Sequence, residues 1–415
     1  MRQAQLSDLV DRGLLGIQVT SSVGLIPVEE ARVRISYTRE PDRVLEELVT
    51  NDSGETENVE LPAPAIDLSL EPSEIQPYSE YNISVEAPGY EPVFITGSEI
   101  LADRTSVQNV VMTPVEIETR PEEDIDIPDH TLYGEYPSKI PEAEIKPTAE
   151  TGEIVLSRVV IPEYVVVHDG VPSDASARNY YVRYKDYIKN VVSSEIYATW
   201  PEAAIYANTL CILSVTLNRV FTEWYRGKGY DFTITSSTAY DQKWIYGRNT
   251  YENTDRIVDS IFANYLSRPG VKQPIYTGYC DGNRTDCDGL KQWGSKYLAE
   301  EGYSAIEIIR YYYGNDMYIN TTEAIAGIPA SWPGYNLGVG ATGDKVRQMQ
   351  NQLRRIAQNY PAIPVILADG VYGEQTAEAV RTFQKIFRLP QTGIVDYPTW
   401  YEISNIYVGV TRIAE

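Results

Sequence analysis

The chain has very few histidines and cysteines, the side chains on which many metalloenzymes and enzymes with a nucleophilic thiol depend. Among 415 residues there are only two histidines, His130 and His168, and three cysteines. Two histidines are too few for a histidine-rich metal site, so we expect no metal and no cofactor. A cysteine and histidine nucleophile pair would need folding to bring His168 to a cysteine by coincidence. If the protein is an enzyme, we therefore expect a carboxyl group to carry the chemistry.

Basic residues are also scarce, and the shortage is uneven. The whole chain has 35 Lys and Arg against 59 Asp and Glu. Residues 1–154 hold 10 basic and 32 acidic side chains, residues 155–330 hold 17 and 20, and residues 331–415 hold 8 and 7. Nearly all of the net charge of -24 therefore lies in the first third. Because such a front repels phosphates, we expect no nucleic acid partner.

Long apolar runs are absent as well. Residues 1–9 lack a basic segment followed by an apolar one, and no later stretch approaches 18 uncharged apolar residues. The sequence thus predicts no signal peptide and no membrane span. We expect a protein that works in the compartment that makes it or leaves by another route.

Residues 1–113, the front of the chain, are rich in predicted β-strands. Short alternating or apolar runs separated by turn residues predict a small antiparallel sandwich, and they cover residues 17–20, 31–37, 81–85 and 107–112. The order of these runs, with Asn51-Asp52-Ser53-Gly54 and Ala87-Pro88-Gly89-Tyr90 between them, resembles the carboxypeptidase regulatory-like domain. That resemblance implies an accessory module and a fold, and little about activity.

Residues 114–154 are rich in proline and acid. Six prolines and about a dozen acids cannot bury enough apolar surface to offset ordering, so we predict a mobile, extended linker. Exposed linkers are where proteases cut, and we place a probable activation cleavage here, between about Glu116 and Pro162. The alternative is a plain spacer.

Residues 155–330 predict a central α+β domain. Residues 159–161 and 164–167 favour an entering strand, and apolar spacing predicts helices over 184–197, 202–224, 252–266 and 292–312. Pro201 suits the first turn of the second helix. Its alanines and serines form one small-residue face for close packing.

This domain resembles stage II sporulation protein D. The resemblance rests on Tyr187 to Ile196, on Thr199-Trp200-Pro201-Glu202-Ala203, and on Leu290 to Ser304. It implies that Glu195 is the catalytic acid of a peptidoglycan lytic transglycosylase, which cleaves glycan strands with one carboxyl. Where the family usually has a histidine before Gly-x-Gly-Met-Ser-Gln, this chain has Asp286 to Gln292 without histidine. No role of that histidine is carried over.

Aromatic and amide side chains in the same domain are candidate glycan-binding residues. Aromatic faces and amides suit a sugar groove, although both are also common in cores. The candidates are Tyr240, Gln242, Tyr246, Gln292, Trp293 and Trp200. Cys280 and Cys287 either form a loop-closing disulfide or remain thiols, and Cys211 on an apolar helix face is expected in the core.

Residues 331–415 carry three pieces of one pattern. Residues 337–350, 369–384 and 392–400 combine glycine turns, helix starts and apolar positions in an order that resembles the three-helix peptidoglycan-binding domain. The sequence thus predicts a multidomain protein: an all-β sandwich, a linker, an α+β catalytic domain and a small three-helix domain.

The whole arrangement resembles the clostridial-type spore cortex-lytic enzymes. The resemblance implies a spore-located zymogen, made without a signal peptide, that degrades cortex peptidoglycan glycan strands during germination. It also implies activation by a subtilisin-like germination protease. Two alternatives stay open: a non-catalytic peptidoglycan-binding structural protein of the spore, and a glycan hydrolase without an anhydro product.

Overall fold

A computed structural model describes residues 10–115, 123–129, 132, 137–146, 158–327 and 332–411. The chain is multidomain and mixes sheets with helices, in the predicted order of a β-rich front, a mixed centre and a helical end. The front and the centre are built around separate apolar cores, whereas the centre and the end share one continuous apolar cluster.

The front is a sandwich of two sheets. One sheet has the strand order β4-β1-β7, with β1 and β7 parallel, and the other has the order β3-β2-β5-β6. Leu15, Ile17 and Val19 alternate along β1 and are fully buried, as a strand with one face on a core requires. The elements are β1 Val10–Ser21, β2 Arg32–Tyr37, β3 Glu40–Val49, β4 Val59–Pro64, α1 Asp67–Leu70, β5 Ser79–Glu86, β6 Val93–Ile100 and β7 Thr105–Met112.

The four predicted runs coincide with β1, β2, β5 and β7, and the sequence analysis missed β4, β6 and β3. Strand β3 lies at the edge of its sheet, and most of its side chains are exposed. Its four acids and one arginine hide the alternating pattern. Charged residues are typical of edge strands, because they discourage pairing with other chains.

The acidic segment after the sandwich is held in place wherever the structure describes it. β8, Glu123–Asp126, pairs in parallel with β6, and Ile127 is buried behind it. Residues 137–146, which we call the strap, lie along the central domain with Lys146 only 2% exposed. The prediction of a mobile linker is therefore wrong for these residues, because a few well-spaced side chains find buried partners. Most of the predicted cleavage region, including residues 147–157, lies outside the described residues.

The central domain is arranged around one long helix, α3, that is almost entirely buried. Helices α2, α4, α5 and α6 pack around it. The elements are β9 Tyr164–His168, β10 Asn179–Arg183, α2 Tyr184–Glu195, α3 Glu202–Phe221, β11 Ile234–Thr235, β12 Thr250–Tyr251, α4 Glu252–Ile261, β13 Asn264–Ser267, β14 Tyr279–Cys280, β15 Leu290–Lys291, α5 Gln292–Glu300, α6 Ala305–Tyr313 and β16 Tyr318–Thr321.

Helix α3 combines a high apolar content with satisfied hydroxyls. Thr209, Ser214 and Thr216 each donate a hydrogen bond to the carbonyl four residues earlier, so their burial leaves no orphaned donor. By length and composition α3 could cross a membrane, but 89% of its most apolar stretch is buried inside the protein. Its apolar character is thus accounted for by its place at the centre of the domain.

Two predicted helices end earlier than expected. The helix predicted over 252–266 stops at Ile261, and residues 264–267 form β13, which pairs with β16. The helix predicted over 292–312 is two helices, because Gly302 adopts a positive φ of 92° and Ser304 starts a new helix with a capping box to Glu307. A glycine followed by a Ser-x-x-Glu start marks such a break, and the apolar period masked it.

The C-terminal domain has the three helices that the pattern predicts: α7 Asp344–Ile356, α8 Glu374–Ile386 and α9 Tyr397–Thr411. Gln350 and Gln384 play matching roles in two half-repeats. Each accepts a hydrogen bond from a glycine N–H and donates to a turn carbonyl and to a threonine hydroxyl; these partners are Gly370, Val371 and Thr376, and Gly393, Ile394 and Thr399.

Both flanking domains pack on the central one. On the front side β12 pairs with β7, and the Arg248 guanidinium meets the Glu99 carboxylate at 2.6 Å in a fully buried ion pair. On the C-terminal side the Phe262 ring lies against the rings of Tyr397 and Tyr401.

Candidate active site

Glu195 is the last residue of α2 and is 8% exposed. Its Oε1 accepts hydrogen bonds from the Lys243 backbone N–H at 2.7 Å and from the Tyr279 hydroxyl at 3.2 Å. The Gln292 side-chain amide donates to Oε2 at 3.0 Å and to the Glu195 backbone carbonyl at 2.9 Å. Donors from three separate parts of the domain therefore fix the orientation of one carboxyl group.

This hydrogen-bond pattern determines where a proton can sit on Glu195. Oε1 already faces two donors, so a proton there would meet other hydrogens. Burial, and secondly the charge of Glu195, raises the pKa of Tyr279 well above its ordinary value, so this hydroxyl stays protonated and continues to donate. Oε2 faces one donor, the Gln292 amide, and is therefore the less occupied of the two oxygens.

Glu195 opens into a small cavity of about 50 Å³. The cavity is bounded by four parts of the chain: the end of α2, the loop that holds Thr238 and Lys243, the loop and strands around Tyr279 to Gln292, and the acidic segment. Its lining includes Leu132, Lys139, Tyr279, Cys280, Asp281 and Gln292. Asp281 is the other acid in this lining, and its two oxygens accept the Arg284 and Thr285 backbone N–H groups of a turn. Its carboxylate is thus committed to loop structure.

The structure brings one of the six predicted glycan-binding residues directly to Glu195, namely Gln292. Trp293 is next to it but is 2% exposed, and its indole N–H donates to the Leu132 carbonyl at 3.3 Å. Trp200 is also 2% exposed, and its indole N–H donates to the Ser69 carbonyl of the sandwich at 3.0 Å. Trp200 therefore lies in the interface with the front domain and does not line the Glu195 cavity.

The other three candidates do not line the Glu195 cavity in the described residues. Gln242 is fully buried, and its amide bonds the Tyr187 and Thr216 hydroxyls and the Ile212 carbonyl. Tyr246 stacks on Tyr180 at 4.5 Å and borders a different, open groove. The Tyr240 backbone carbonyl accepts from Arg219 and Tyr276. The alternating aromatics of this stretch thus serve mainly packing.

Cys280 and Cys287 form a disulfide, one of the two alternatives that the sequence leaves open. The bond closes the turn that holds Asp281, and Cys280 itself lines the cavity. Cys211 is fully buried in α3, and burial raises the pKa of its thiol to about 12, so it is not poised as a nucleophile. Within the described ranges, no three His, Cys, Asp or Glu side chains converge to hold a metal ion.

Sequence reasoning missed Tyr279, the Lys243 backbone N–H and Lys139. Tyr279 is one of 33 tyrosines and nothing local distinguishes it, while a backbone donor has no residue signature at all. Lys139 does carry a signal, since it is one of only three cations among the dozen acids of residues 114–154. Its ammonium lies 3.9 Å from the centre of the Tyr279 ring and donates to the Asp241 carbonyl at 2.8 Å.

Two family models match parts of the chain. The model described as stage II sporulation protein matches residues 175–263, which include Glu195. The model described as a peptidoglycan binding domain matches residues 342–403, which span the three C-terminal helices. No curated protein matched the chain.

Likenesses to solved structures are weak. The minor pilin of Streptococcus agalactiae is 12% identical, with a TM-score of 0.19, over 28% of this chain and 50% of that protein. Catechol 1,2 dioxygenase of Acinetobacter radioresistens is 14% identical, with a TM-score of 0.18, over 30% of this chain and 60% of that protein. The chain thus spans about half of each of these structures, and scores this low carry no argument. The two matched domains, in contrast, support a role in processing cell-wall peptidoglycan during sporulation.

Proposed function

We propose that the protein is a lytic transglycosylase that cleaves the glycan strands of spore cortex peptidoglycan, with Glu195 as its catalytic residue. The observation that carries this proposal is the Glu195 carboxyl at the cavity, fixed by Lys243 N–H, Tyr279 and Gln292 with Oε2 the less occupied of its two oxygens. The match of residues 175–263 to a family linked to peptidoglycan degradation supports the substrate class.

The proposed reaction uses the two protonation states of one carboxyl in sequence. Neutral Glu195 donates the Oε2 proton to the glycosidic oxygen as the bond from that oxygen to the sugar C1 breaks. The carboxylate then removes the proton of the same sugar's 6-hydroxyl, whose oxygen attacks C1. A 1,6-anhydro ring closes, and Glu195 is again neutral, so no water and no cofactor are consumed.

The alternative of ordinary hydrolysis is disfavoured by the cavity's other acid. Hydrolytic glycosidases use two carboxyl groups on opposite sides of the scissile bond. Asp281 is the second acid among the described lining residues, and turn N–H groups occupy both of its oxygens. A single working carboxyl fits ring closure better than it fits activation of water.

The test compares products from purified cortex by mass spectrometry. With both chains cut within 147–157 and freed of the N-terminal fragment, we expect anhydro-sugar ends from the wild type and at least a ~10²-fold lower rate from Glu195→Gln, the loss typical of a missing general acid. Glu202→Gln is the matched control, because Glu202 is an exposed acid at the start of α3. Undiminished cleavage by Glu195→Gln would reject the assignment, and reducing ends without anhydro rings would identify a hydrolase.

A non-catalytic wall-binding protein of the spore is the second candidate function. The match of residues 342–403 to a peptidoglycan binding domain favours it equally, since such a domain is useful with or without an enzyme. In that case the wild-type chain and Glu195→Gln would sediment with cortex alike, and neither would release soluble fragments.

We further propose that the chain is stored as a zymogen in the spore, in the cortex or coat region, and is activated by a subtilisin-like germination protease. The net charge of -22 on residues 1–154, from 10 basic and 32 acidic side chains, supports a regulatory front. If a chain cut within 147–157 and freed of its N-terminal fragment cleaves cortex no faster than the intact chain, the zymogen proposal fails.

A further inference from the structure

The strap lies where a substrate of Glu195 would have to enter. Leu132 and Lys139 form part of the cavity wall, opposite Tyr279 and Gln292. The remaining space of about 50 Å³ is far below the 300 Å³ or more that sites for drug-sized ligands usually offer. Only water-sized molecules fit beside Glu195 while these residues are in place.

Leu132 and Lys139 are held at the cavity by polar contacts. The Tyr197 hydroxyl accepts the Leu132 backbone N–H at 3.1 Å, and the Trp293 indole N–H donates to the Leu132 carbonyl. The Lys139 ammonium donates to the Asp241 backbone carbonyl. Asp241 lies two residues before Lys243, whose backbone N–H donates to Glu195. Burial lowers the pKa of Lys139, and the neighbouring charges of Glu195 and Asp241 oppose that shift.

Beyond the cavity, the central domain holds the strap backbone as an extended peptide. The Ile140 N–H donates to the Ala239 carbonyl at 2.9 Å, and the Tyr276 N–H donates to the Glu144 carbonyl at 2.8 Å. The Gln273 side chain accepts the Lys146 N–H at 2.7 Å and donates to its carbonyl at 3.2 Å. Main-chain bonds of this kind provide affinity, while side-chain pockets provide specificity.

Two arginines of the central domain form ion pairs with two glutamates of the strap. Arg219, whose side chain is fully buried, donates to both oxygens of Glu142 at 2.7 and 2.8 Å. Arg268 donates to both oxygens of Glu144 at 2.6 and 2.8 Å. Such two-pronged contacts add geometric specificity as well as energy. Together with Gln273 they define a groove that fits a short acidic peptide.

We propose that this groove is an inhibitory peptide-binding site, and that residues 137–146 exclude glycan from Glu195 while they occupy it. The proposal rests on the proposed function and identifies what regulates it. It assigns inhibition to the strap, and neither to the sandwich nor to general repulsion by the acidic front. Binding of glycan then requires the strap to leave.

The position of the strap also determines what a backbone cut can do. A cut within 147–157 places the strap on the N-terminal side of the break and the groove that binds it on the C-terminal side. The strap then remains bound only non-covalently, and it loses the high effective concentration that a covalent tether provides. Activation should therefore follow release of the N-terminal fragment rather than the cut itself.

The first experiment measures glycan binding separately from cleavage. In full-length chains carrying Glu195→Gln, addition of Glu142→Gln or of Lys139→Met should raise affinity for a soluble cortex glycan fragment at least tenfold. Amide hydrogen exchange of residues 137–146 should rise in the same variants. The control is Glu60→Gln, because Glu60 pairs with Arg12 on the exposed surface of the sandwich. Equal glycan affinity in all four chains would overturn the proposal.

The second experiment restores the inhibitor in trans. A synthetic peptide of residues 137–146 added to the Glu142→Gln chain should displace the glycan fragment, and the same peptide with glutamine in place of Glu142 should need at least tenfold more. A wild-type peptide that fails to compete at millimolar concentration would also overturn the proposal. If the variants gain glycan binding while no chain with intact Glu195 cleaves cortex, the lytic activity is rejected and the inhibitory groove stands.

Discussion

The front domain and the C-terminal domain contact the central domain at opposite ends of helix α2. The front contacts loops at the C-terminal end of α2, where Glu195 lies, whereas the C-terminal domain contacts its first turn. There Lys185 bonds Asp259 of α4 and Glu402 of α9. Glu195 lies ten residues after Lys185 in this helix, a distance of roughly 15 Å along the axis.

The chemistry of the two interfaces also differs. The front interface relies on buried charge and hydrogen bonds, such as Arg248 with Glu99 and the paired amide contacts of Asn249 with the Glu99 backbone. The C-terminal interface adds aromatic packing to its ion pairs and belongs to the central apolar cluster. The front interface therefore depends on the geometry of buried polar groups, whereas the C-terminal interface depends also on apolar packing. The four predictions below test that contrast.

The largest expected effect is at the front, from Arg248→Met. This substitution leaves the Glu99 carboxylate buried without its guanidinium, and removing one partner of a buried pair costs about 3–5 kcal/mol. We expect a loss of about 4 kcal/mol in the free energy of unfolding by denaturant. Arg12→Met, which breaks an exposed ion pair with Glu60, is the control and should cost below about 1 kcal/mol. Similar losses for both would mean that the front interface is not anchored by buried charge.

A smaller effect is expected at the C-terminal side, from Phe262→Ala. Removing this 2% exposed ring should cost about 3 kcal/mol, the low end for Phe to Ala, because Tyr397 and Tyr401 can shift into the space. Cleavage of soluble glycan fragments should change less than twofold, since the ring is remote from Glu195. A large loss of turnover with little loss of stability would reverse the roles assigned to the two sides.

Reduction of the Cys280–Cys287 disulfide is third in size. The bond closes a short loop, so its loss should cost about 2 kcal/mol in the free energy of unfolding. Because Cys280 lines the Glu195 cavity, glycan cleavage should fall while sedimentation with the wall is unchanged. A Cys280→Ser, Cys287→Ser chain should no longer respond to reductant. A response that persists in that chain would show that the reductant does not act through this disulfide.

The sequence predicts the central and C-terminal regions better than the front. Glu195 and Gln292 could be selected because they lie in motif-like contexts, and the three C-terminal helices follow from glycine turns and apolar spacing. The strap could not be predicted, because its order depends on Arg219, Arg268 and Gln273, which are distant in sequence. Composition alone describes residues 137–146 as a solvated acidic chain, and long-range ion pairs override it. Gln242, predicted to bind glycan, lies in the core for a related reason. The sequence alone does not distinguish a glutamine whose hydrogen bonds are satisfied inside a core from one that lines a groove.

The smallest predicted effect concerns how pH acts on the front itself. Glu80 of β5 shares a hydrogen bond with Asp129, which follows β8; burial, and then this bond and the neighbouring charge, raises the pKa of Glu80 to about 7. A carboxyl whose pKa is raised on folding contributes stability below its unfolded pKa of about 4.5 and loses it as pH rises through about 7. Glu80 is half-buried and Asp129 is exposed, so solvent screens the pair and we expect under about 1 kcal/mol. Protection from amide exchange, measured relative to the intrinsic rate at each pH, should therefore fall in residues 123–129 between pH 5 and pH 8 and stay constant in α9. Glu80→Gln, whose amide can donate to Asp129 at any pH, should remove this dependence, and an unchanged pH profile in that variant would show that another group releases the segment.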